Sequence, residues 1–365
     1  MNIKALVHQL HQALDTNFNV KLPRSHLYEG LAAAFGHTTY ASLCTDSMFD
    51  EGHSKAPIDA AAIKSRLTGL GADPGAASIA AEQLGALAAS TGLRVVHLRD
   101  FIRRLMGGAQ AGPSWADEDL RLEDLSEMLR EGLISAAERG HGIAAYALAR
   151  LLSSAMDDDE EPRSSYWYQQ MKAGQALKPH EQACATEYAE WLEVRSRYER
   201  YLTMAAKGRV ADACIDAALL FDDPEWLAEC DPELLLAPMT ALEALDHHGR
   251  HDLASKACRR AALGGDPEAI ELMIAEYDAG SAVRAWGWIY FAEARHIQLE
   301  GLEPRAYAVH ENGSIYDDDI GGPMYAVEDE GLRPDPLEPS EDAQAREFAA
   351  RLVEEAPNLR EYGRT

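Results

Sequence analysis

Three similar stretches of sequence decide the fold: SAAERGHGIAAYALARLL (residues 135–152), MAAKGRVADACIDAALLF (204–221) and RAALGGDPEAIELMIAEY (260–277). Each contains an alanine pair, then a glycine, a further alanine and a large residue at similar spacing. The pairs are Ala136-Ala137, Ala205-Ala206 and Ala261-Ala262, the glycines Gly140, Gly208 and Gly265, the later alanines Ala144, Ala213 and Ala269, and the large residues Leu152, Phe221 and Tyr277. Alanine lets two helices approach closely, and glycine ends one helix and turns the chain into the next. The pattern predicts a series of helical hairpins in which the large residue fills the gap between neighbours.

A weaker copy lies between the first two, in WYQQMKAGQALKPHEQACATEYAEWL (167–192), with Ala173 and Gly174 at the corresponding places. The reference alanines at 137, 173, 206 and 262 are separated by 36, 33 and 56 residues. The last spacing indicates an insertion, supplied by the acidic segment DDPEWLAECDPELLLAP (222–238). A single hairpin cannot bury its apolar face, so we expect adjacent copies to stack into an α-solenoid.

The repeated segment resembles the Sel-one-like repeat, a relative of the tetratricopeptide repeat. The resemblance covers residues 133–302 and rests on the alanine–glycine framework and on aromatic-rich second helices such as SSYWYQQMKAG (164–174) and RAWGWIYFAEA (284–294). It implies a right-handed α-solenoid whose groove binds other proteins, often as a bacterial adaptor. The family supplies no catalytic residues.

The remainder of the chain completes an all-α fold in four segments. Residues 1–52 are predicted to form a small helical module, and residues 53–112 a helical segment that ends in the linker GGAQAGPS (107–114). Residues 113–302 hold the repeats. Residues 303–365 form an acidic tail with a short β-hairpin around Asn312-Gly313, because Asn-Gly between β-prone runs favours a two-residue turn. A terminal helix, EDAQAREFAARLVEEA (341–356), follows.

Charge and composition exclude several classes of partner. The formal net charge is −27, and almost all of the excess lies beyond residue 110. An acidic surface repels nucleic-acid backbones and anionic lipid, so we expect neither as a partner of the repeats. No apolar run is long enough to span a membrane, and the first residues read as an amphipathic helix and not as a signal peptide. The five cysteines are widely spaced with no CxxC pair, which favours a reducing, cytoplasmic setting.

The sequence contains no recognisable catalytic motif. It has no GxxxxGK[ST], HExxH, GxSxG or CxxC. The one histidine cluster, His247-His248-x-x-His251, surrounds Gly249 between two helical patterns and is interpreted as a solvated turn. We therefore predict no enzyme activity, no cofactor and no metal.

Aromatic residues provide the candidate binding site. They are concentrated in the repeats, where most are expected to pack between hairpins, and Trp and Tyr are also the residues that carry binding energy at interfaces. The candidates for partner contact are Tyr166, Tyr168, Trp191 and Trp288. With acidic neighbours, such a surface suits a basic partner or an amphipathic helix. The first hypothesis is a protein-binding adaptor, or an inhibitor of the immunity type.

The alternative hypothesis is a regulator that binds DNA through its N-terminal module. In LAAAFGHTTYASL (31–43), Ala32 and Gly36 have a helix-turn-helix spacing, and Thr38-Thr39 would begin the recognition helix.

Overall fold

Helices make up most of the described chain, as the all-α prediction requires. A computed structural model describes residues 3–52, 58–106, 120–153, 165–300, 305–309, 325–329, 331–332 and 334–356. Two short antiparallel ladders accompany the helices in these ranges. The chain divides into two compact units, residues 1–230 and 231–365. The predicted linker 107–114 lies outside the described residues.

The first half of the first unit is a group of helices with one two-stranded ladder. The helices are α1 Ile3–Phe18, α2 Arg24–Ala34, α3 Tyr40–Asp46, α4 Ala60–Gly69, α5 Pro74–Thr91 and α6 Leu98–Leu105. Strands β1 Ser47–Glu51 and β2 Leu93–His97 pair antiparallel, with Ser47 opposite His97 and Glu51 opposite Leu93. The apolar spacing of Leu6, Leu10 and Leu14 explains the first helix, since all three are buried on one face.

One hydrophobic core connects these elements. Leu6, Leu27, Leu67 and Leu84 belong to the same buried cluster. A Cβ added to Gly30 would lie 3.3 Å from Leu84, so α2 and α5 are closely packed there. This core contains side chains from both segments, 1–52 and 53–112, that the sequence analysis separates.

The ladder β1–β2 differs from the sequence expectation. RVVHLRDFIRRLM (94–106) reads as one helix, but α6 begins only at Leu98. Val95 and Val96 lie opposite Phe49 and Met48 in the ladder. β-branched residues fit a pleated strand better than a helix, and pairing with a distant strand decides between the two.

The second half of the first unit contains α7 Glu127–Glu138, α8 Gly142–Ser153, α9 Tyr166–Lys172, α10 Pro179–Lys207 and α11 Ala211–Phe221. Helix α8 packs between α7 and α10, and α10 packs in turn on α9 and α11. The alanine pairs of this unit, together with Ala144 and Ala213, are buried.

The alanine pairs end their helices in one common geometry. In each strong copy the first alanine carbonyl accepts a hydrogen bond from the N–H five residues later, and the second from the N–H three residues later. The distances are 3.1 and 2.8 Å at Ala136 and Ala137, 3.2 and 2.9 Å at Ala205 and Ala206, and 3.2 and 3.0 Å at Ala261 and Ala262. These two bonds satisfy carbonyls that the helix leaves open. The repeated sequence pattern therefore marks a helix end with the same hydrogen bonds in each strong copy.

Gly208 has a different role from the predicted one. The left-handed residue of the second copy is Arg209, at φ +59°, whereas Gly140 and Gly265 are left-handed in theirs. A Cβ on Gly208 would lie 3.0 Å from Gly142 Cα. Gly208 is needed because the turn after α10 lies against the turn after α7.

The large residue of each copy does not have one common role. Leu152 is buried, Tyr277 is half-buried, and Phe221 is 39 % exposed. Phe221 contacts Trp226, with ring centroids 5.9 Å apart. The prediction that this position fills the gap between hairpins is wrong for Phe221, because α11 ends at that residue. Ala173, the reference alanine of the weaker copy, is also exposed.

The second unit contains α12 Leu242–His247, α13 His251–Leu263, α14 Pro267–Leu272 with a π-helical turn Met273–Tyr277, α15 Ala282–Arg295 and α16 Pro339–Glu355. The terminal helix is confirmed as α16, which packs along α15. A Cβ on Gly287 would lie 2.3 Å from the Phe348 ring. Only glycine therefore allows α16 to cross α15 at this distance.

Strands β3 Arg305–Val309 and β4 Tyr325–Asp329 form the second ladder, with Arg305 opposite Asp329. This ladder pairs the first strand-forming run of the tail with the run MYAVE. The turn residues Asn312 and Gly313 lie outside the described residues, so the two-residue hairpin stays a prediction.

Candidate protein-binding surface

Helix α9 and the first half of α10 carry a continuous group of aromatic side chains, here called the aromatic surface: Tyr166, Trp167, Tyr168, Tyr188 and Trp191. The ring centroids of Tyr168 and Tyr188 are 5.5 Å apart, and those of Tyr188 and Trp191 are 5.7 Å apart. Tyr166 and Trp167 are in edge-to-face contact at 4.8 Å. Of the four predicted residues, Tyr168 and Trp191 are therefore joined through Tyr188, and Tyr166 lies on the same helix as Tyr168.

Local sequence explains why α9 and α10 meet here. Gly174, at φ +77°, ends α9, and the N–H of Gln175 donates to the carbonyl of Gln170. Pro179 opens α10, and the Glu181 carboxylate accepts from the N–H of Lys178 at 2.8 Å. Proline in the first turn and a carboxylate at the helix start both favour initiation. Two helices joined by this short connection pack side by side.

The aromatic surface is partly exposed to solvent. Tyr166 is 54 % exposed, and Tyr168 and Trp191 are half-buried. Helix α9 has no buried residue, and α10 has none between Ala185 and Tyr201. A long helix in a packed protein normally buries one face along its whole length. Between Ala185 and Tyr201, α10 is therefore only partly covered by the described part of the first unit.

Two cations lie over half-buried rings of the surface. Lys172 Nζ lies 5.1 Å from the centre of the Tyr168 ring, and the Arg195 guanidinium lies 5.2 Å from that of Trp191. Arg195 Nε also donates to Glu199 at 2.9 Å. Such contacts restrict the rings before a partner binds, which lowers the entropic cost of binding.

An acidic stripe borders the aromatic surface. Glu187, Glu190 and Glu193 are exposed and lie three residues apart on α10. Residues at this spacing are neighbours on a helix surface. None of the three forms an ion pair with another described residue. The stripe places unneutralised negative charge beside the apolar rings.

Trp288 does not belong to this site, which corrects the prediction for that residue. It has no exposed surface, and its Nε1–H donates to Asp278 at 2.9 Å. Phe348 of α16 lies edge-on to it at 6.2 Å. A fully enclosed side chain with a satisfied N–H is a core residue and cannot reach a partner.

Trp167 and Tyr188 are the members of the surface that sequence reasoning did not single out, and Tyr188 is the central one. It contacts both Tyr168 and Trp191 and joins the two helices. Its spacing of three residues from Trp191 is the signal that could have identified it.

The element predicted as a DNA-recognition helix is α3. The Thr39 hydroxyl accepts from the N–H of Ser42 at 3.0 Å and caps this helix. Its seven residues, YASLCTD, include one acidic and no basic side chain. Phosphate contacts depend on lysine and arginine, so α3 adds no support to the DNA-binding alternative.

The histidine cluster forms the turn that the sequence predicts. Gly249 is left-handed at φ +66° and joins α12 to α13. His251 Nδ1 lies 2.7 Å from an Asp246 oxygen, which ties the start of α13 to the end of α12.

No helix among the described ranges combines the length and the apolar character needed to cross a membrane. All five cysteines are free thiols; three are buried, Cys44 is half-buried and Cys184 is exposed.

Comparisons with protein-family models, with curated protein sequences and with solved structures produced no match to this chain. The resemblance to Sel-one-like repeats accordingly stays a prediction.

Proposed function

We propose that the chain is a non-enzymatic, cytoplasmic adaptor or inhibitor that holds one protein partner on the aromatic surface of α9 and α10. The observation that carries this proposal is the segment of α10 between Ala185 and Tyr201, which has aromatic side chains and no fully buried residue. Exposed Trp and Tyr clusters in ordered positions are typical of the residues that dominate binding energy at interfaces.

The chemistry of the surface selects the kind of partner. Partly exposed rings on two adjacent helices suit the apolar face of an amphipathic helix. The stripe Glu187, Glu190 and Glu193 suits basic residues beside that face. The net charge of −27 would attract a cationic partner over longer distances. We therefore propose a partner segment that is helical, with one apolar and one basic side.

A solenoid arrangement of the helix pairs is part of the proposal. It is supported by the common turn after each alanine pair and by the close approach of Gly208 to Gly142. Turns that lie against each other are expected where successive hairpins stack.

The test begins with the protein purified from its source cells. The companion that co-purifies in stoichiometric amount is identified by mass spectrometry and titrated against the full chain by calorimetry. The double variant Tyr188→Ala/Trp191→Ala should lose most of the affinity, because it removes the centre of the surface. Phe221→Ala, an exposed aromatic outside the surface, is the matched control and should bind normally. Equal affinity of the double variant and the wild type would overturn the proposal.

A synthetic peptide tests the partner chemistry directly. A leucine–lysine peptide with an amphipathic pattern should bind the wild type more tightly than a scrambled peptide of the same composition and charge. The preference should disappear in Tyr188→Ala/Trp191→Ala. If both peptides bind alike, charge alone explains the association and the apolar surface has no part in it.

A further inference from the structure

The first unit contains a second candidate site, remote in sequence from the aromatic surface. Parts of α1, α3, β1 and α7 enclose a cavity of about 520 Å³. Leu43, Met48, Phe49 and Met128 supply apolar walls. This volume lies in the range of small-molecule sites, and a largely apolar wall is typical of them. Methionine side chains adapt to different ligand shapes.

Cationic groups meet at the same cavity. Lys4 and Arg139 line it, and neither forms an ion pair with a described residue. Arg139 donates to the Ser135 hydroxyl at 2.5 Å, which aims the guanidinium along the cavity wall. Glu131 also lines the cavity, as does His141, whose Nε2 lies 2.6 Å from the Thr45 carbonyl. Both cationic side chains are exposed, so their charge is accessible to a ligand that enters from solvent.

Gly132 keeps the cavity open. It lies in the interior of α7, where glycine costs about 1 kcal/mol relative to alanine. A Cβ at this position would lie 3.6 Å from Met48 Sδ, which is ordinary contact, so close packing does not require glycine. A longer side chain would extend into the cavity. The absence of a side chain at Gly132 therefore leaves the cavity open, and the packing of the helix does not require it.

We propose that this cavity binds a small amphipathic acid, with its alkyl or aromatic body against Met48, Phe49 and Met128 and its anionic group on Arg139 and Lys4. The apolar walls provide the burial, and the two cations distinguish an acid from a neutral molecule of the same shape. The site is independent of the aromatic surface, so each can be tested without the other.

Cys44 is a built-in reporter of occupancy. Its thiol lines the cavity and is half-buried, whereas Cys184 is exposed and the other cysteines are buried. Burial raises the pKa of the Cys44 thiol, and Arg139 partly opposes that rise. Replacing Cys184 with serine leaves Cys44 as the accessible thiol. A molecule in the cavity should then shield it from alkylation.

The experiment measures the rate at which N-ethylmaleimide alkylates Cys44 in the folded Cys184→Ser protein. Octanoate should slow this rate several-fold, and octan-1-ol at equal concentration should slow it less, because it lacks the carboxylate. Arg139→Gln should remove the difference between the two. Gly132→Leu should reduce protection by both, since the leucine takes up part of the space.

Gly85→Leu is the matched control, because Gly85 is also interior to a helix and has no neighbour within 4 Å of an added Cβ. Octanoate should still protect Cys44 in this variant. Circular dichroism establishes that each variant is folded, and Arg139→Gln tests the proposal even if Gly132→Leu does not fold. Equal protection by octanoate and octan-1-ol, no protection by octanoate, or undiminished protection in folded Gly132→Leu would each overturn the proposal.

Discussion

Helices α10 and α15 carry similar aromatic residues in opposite surroundings. In α15, Trp288 is enclosed because α16 packs over it, and Gly287 makes the close crossing possible. In α10, Tyr188 and Trp191 are only half-buried, with Tyr168 of α9 beside Tyr188. The same kind of residue thus serves as core in one helix and as candidate binding surface in the other.

Hydrogen bonding shows the same contrast. The indole N–H of Trp288 donates to Asp278, and the hydroxyl of buried Tyr146 donates to Asp216 at 2.9 Å. Trp191 and Tyr188 have no side-chain hydrogen bond to another described residue. A buried polar group needs a hydrogen-bond partner within the protein, whereas an exposed one forms hydrogen bonds with water. The aromatic residues of α10 therefore keep their polar groups available for another protein.

The largest expected effect is on the free energy of unfolding, which should fall much more when Trp288 is replaced than when Trp191 is replaced. Trp288→Ala should lower the free energy of unfolding by about 3–5 kcal/mol, because it leaves a cavity and removes one of the hydrogen bonds to Asp278. Trp191→Ala should cost less than about 1 kcal/mol. Urea denaturation followed by circular dichroism measures both. Similar losses would mean that Trp191 is also a core residue.

A smaller effect is expected where α16 crosses α15. Gly287→Ala should destabilise the protein by about 1–3 kcal/mol, because its Cβ overlaps the Phe348 ring. Gly85→Ala, in the open interior of α5, should instead stabilise it by about 0.5–1 kcal/mol. Thermal unfolding of the two variants compares them. A stable Gly287→Ala protein would show that α16 does not need the close crossing.

The acidic stripe beside the aromatic surface should have a moderate effect on binding. Glu187→Gln/Glu190→Gln should weaken association with the identified partner by about 0.2–1 kcal/mol per lost contact, and should flatten its dependence on salt. Glu82→Gln on exposed α5 is the control and should change neither. An unchanged salt dependence in the double variant would exclude the acidic stripe from the interface.

The smallest expected effect concerns the Asp216 carboxylate, which accepts a hydrogen bond from buried Tyr146. Burial raises the pKa of Asp216 above its ordinary value of 3.8, and Arg150 opposes part of that rise. The folded state therefore binds this proton more tightly than the unfolded state, and the contribution of Asp216 to stability decreases as pH rises through this window. Relative to Asp216→Asn, the wild type should gain stability between pH 7 and pH 4. Urea denaturation across that range measures the difference, and a constant difference would contradict the pKa shift.

Repetition made the helix ends predictable. The alanine pairs and their turns were found from spacing, since a helix end depends on residues within a few positions of one another. Gly208 shows the limit of that reasoning, because it serves a contact with Gly142 in a different hairpin and not its own turn. Strand β2 shows the same limit of local reasoning, since Val95 and Val96 are extended only through pairing with β1.

For the candidate sites, the sequence predicted the residue types better than their positions. Tyr168 and Trp191 are joined through Tyr188, but Trp288 lies in the core. The burial of Trp288 depends on α16, which covers it and begins only at Pro339. The cavity lined by Met48 and Arg139 was not predicted, since its walls come from four separate elements.

The amino-acid sequence by itself determined that the chain is mostly helical, where the repeated helices end, and that the chain is strongly acidic. These properties depend on residue type and on neighbours a few positions away. Only the tertiary structure decided which aromatic face is covered, which glycine is a turn and which a close contact, and where a cavity remains. Those outcomes depend on side chains such as Phe348 and Met48, which reach their contacts from distant parts of the chain.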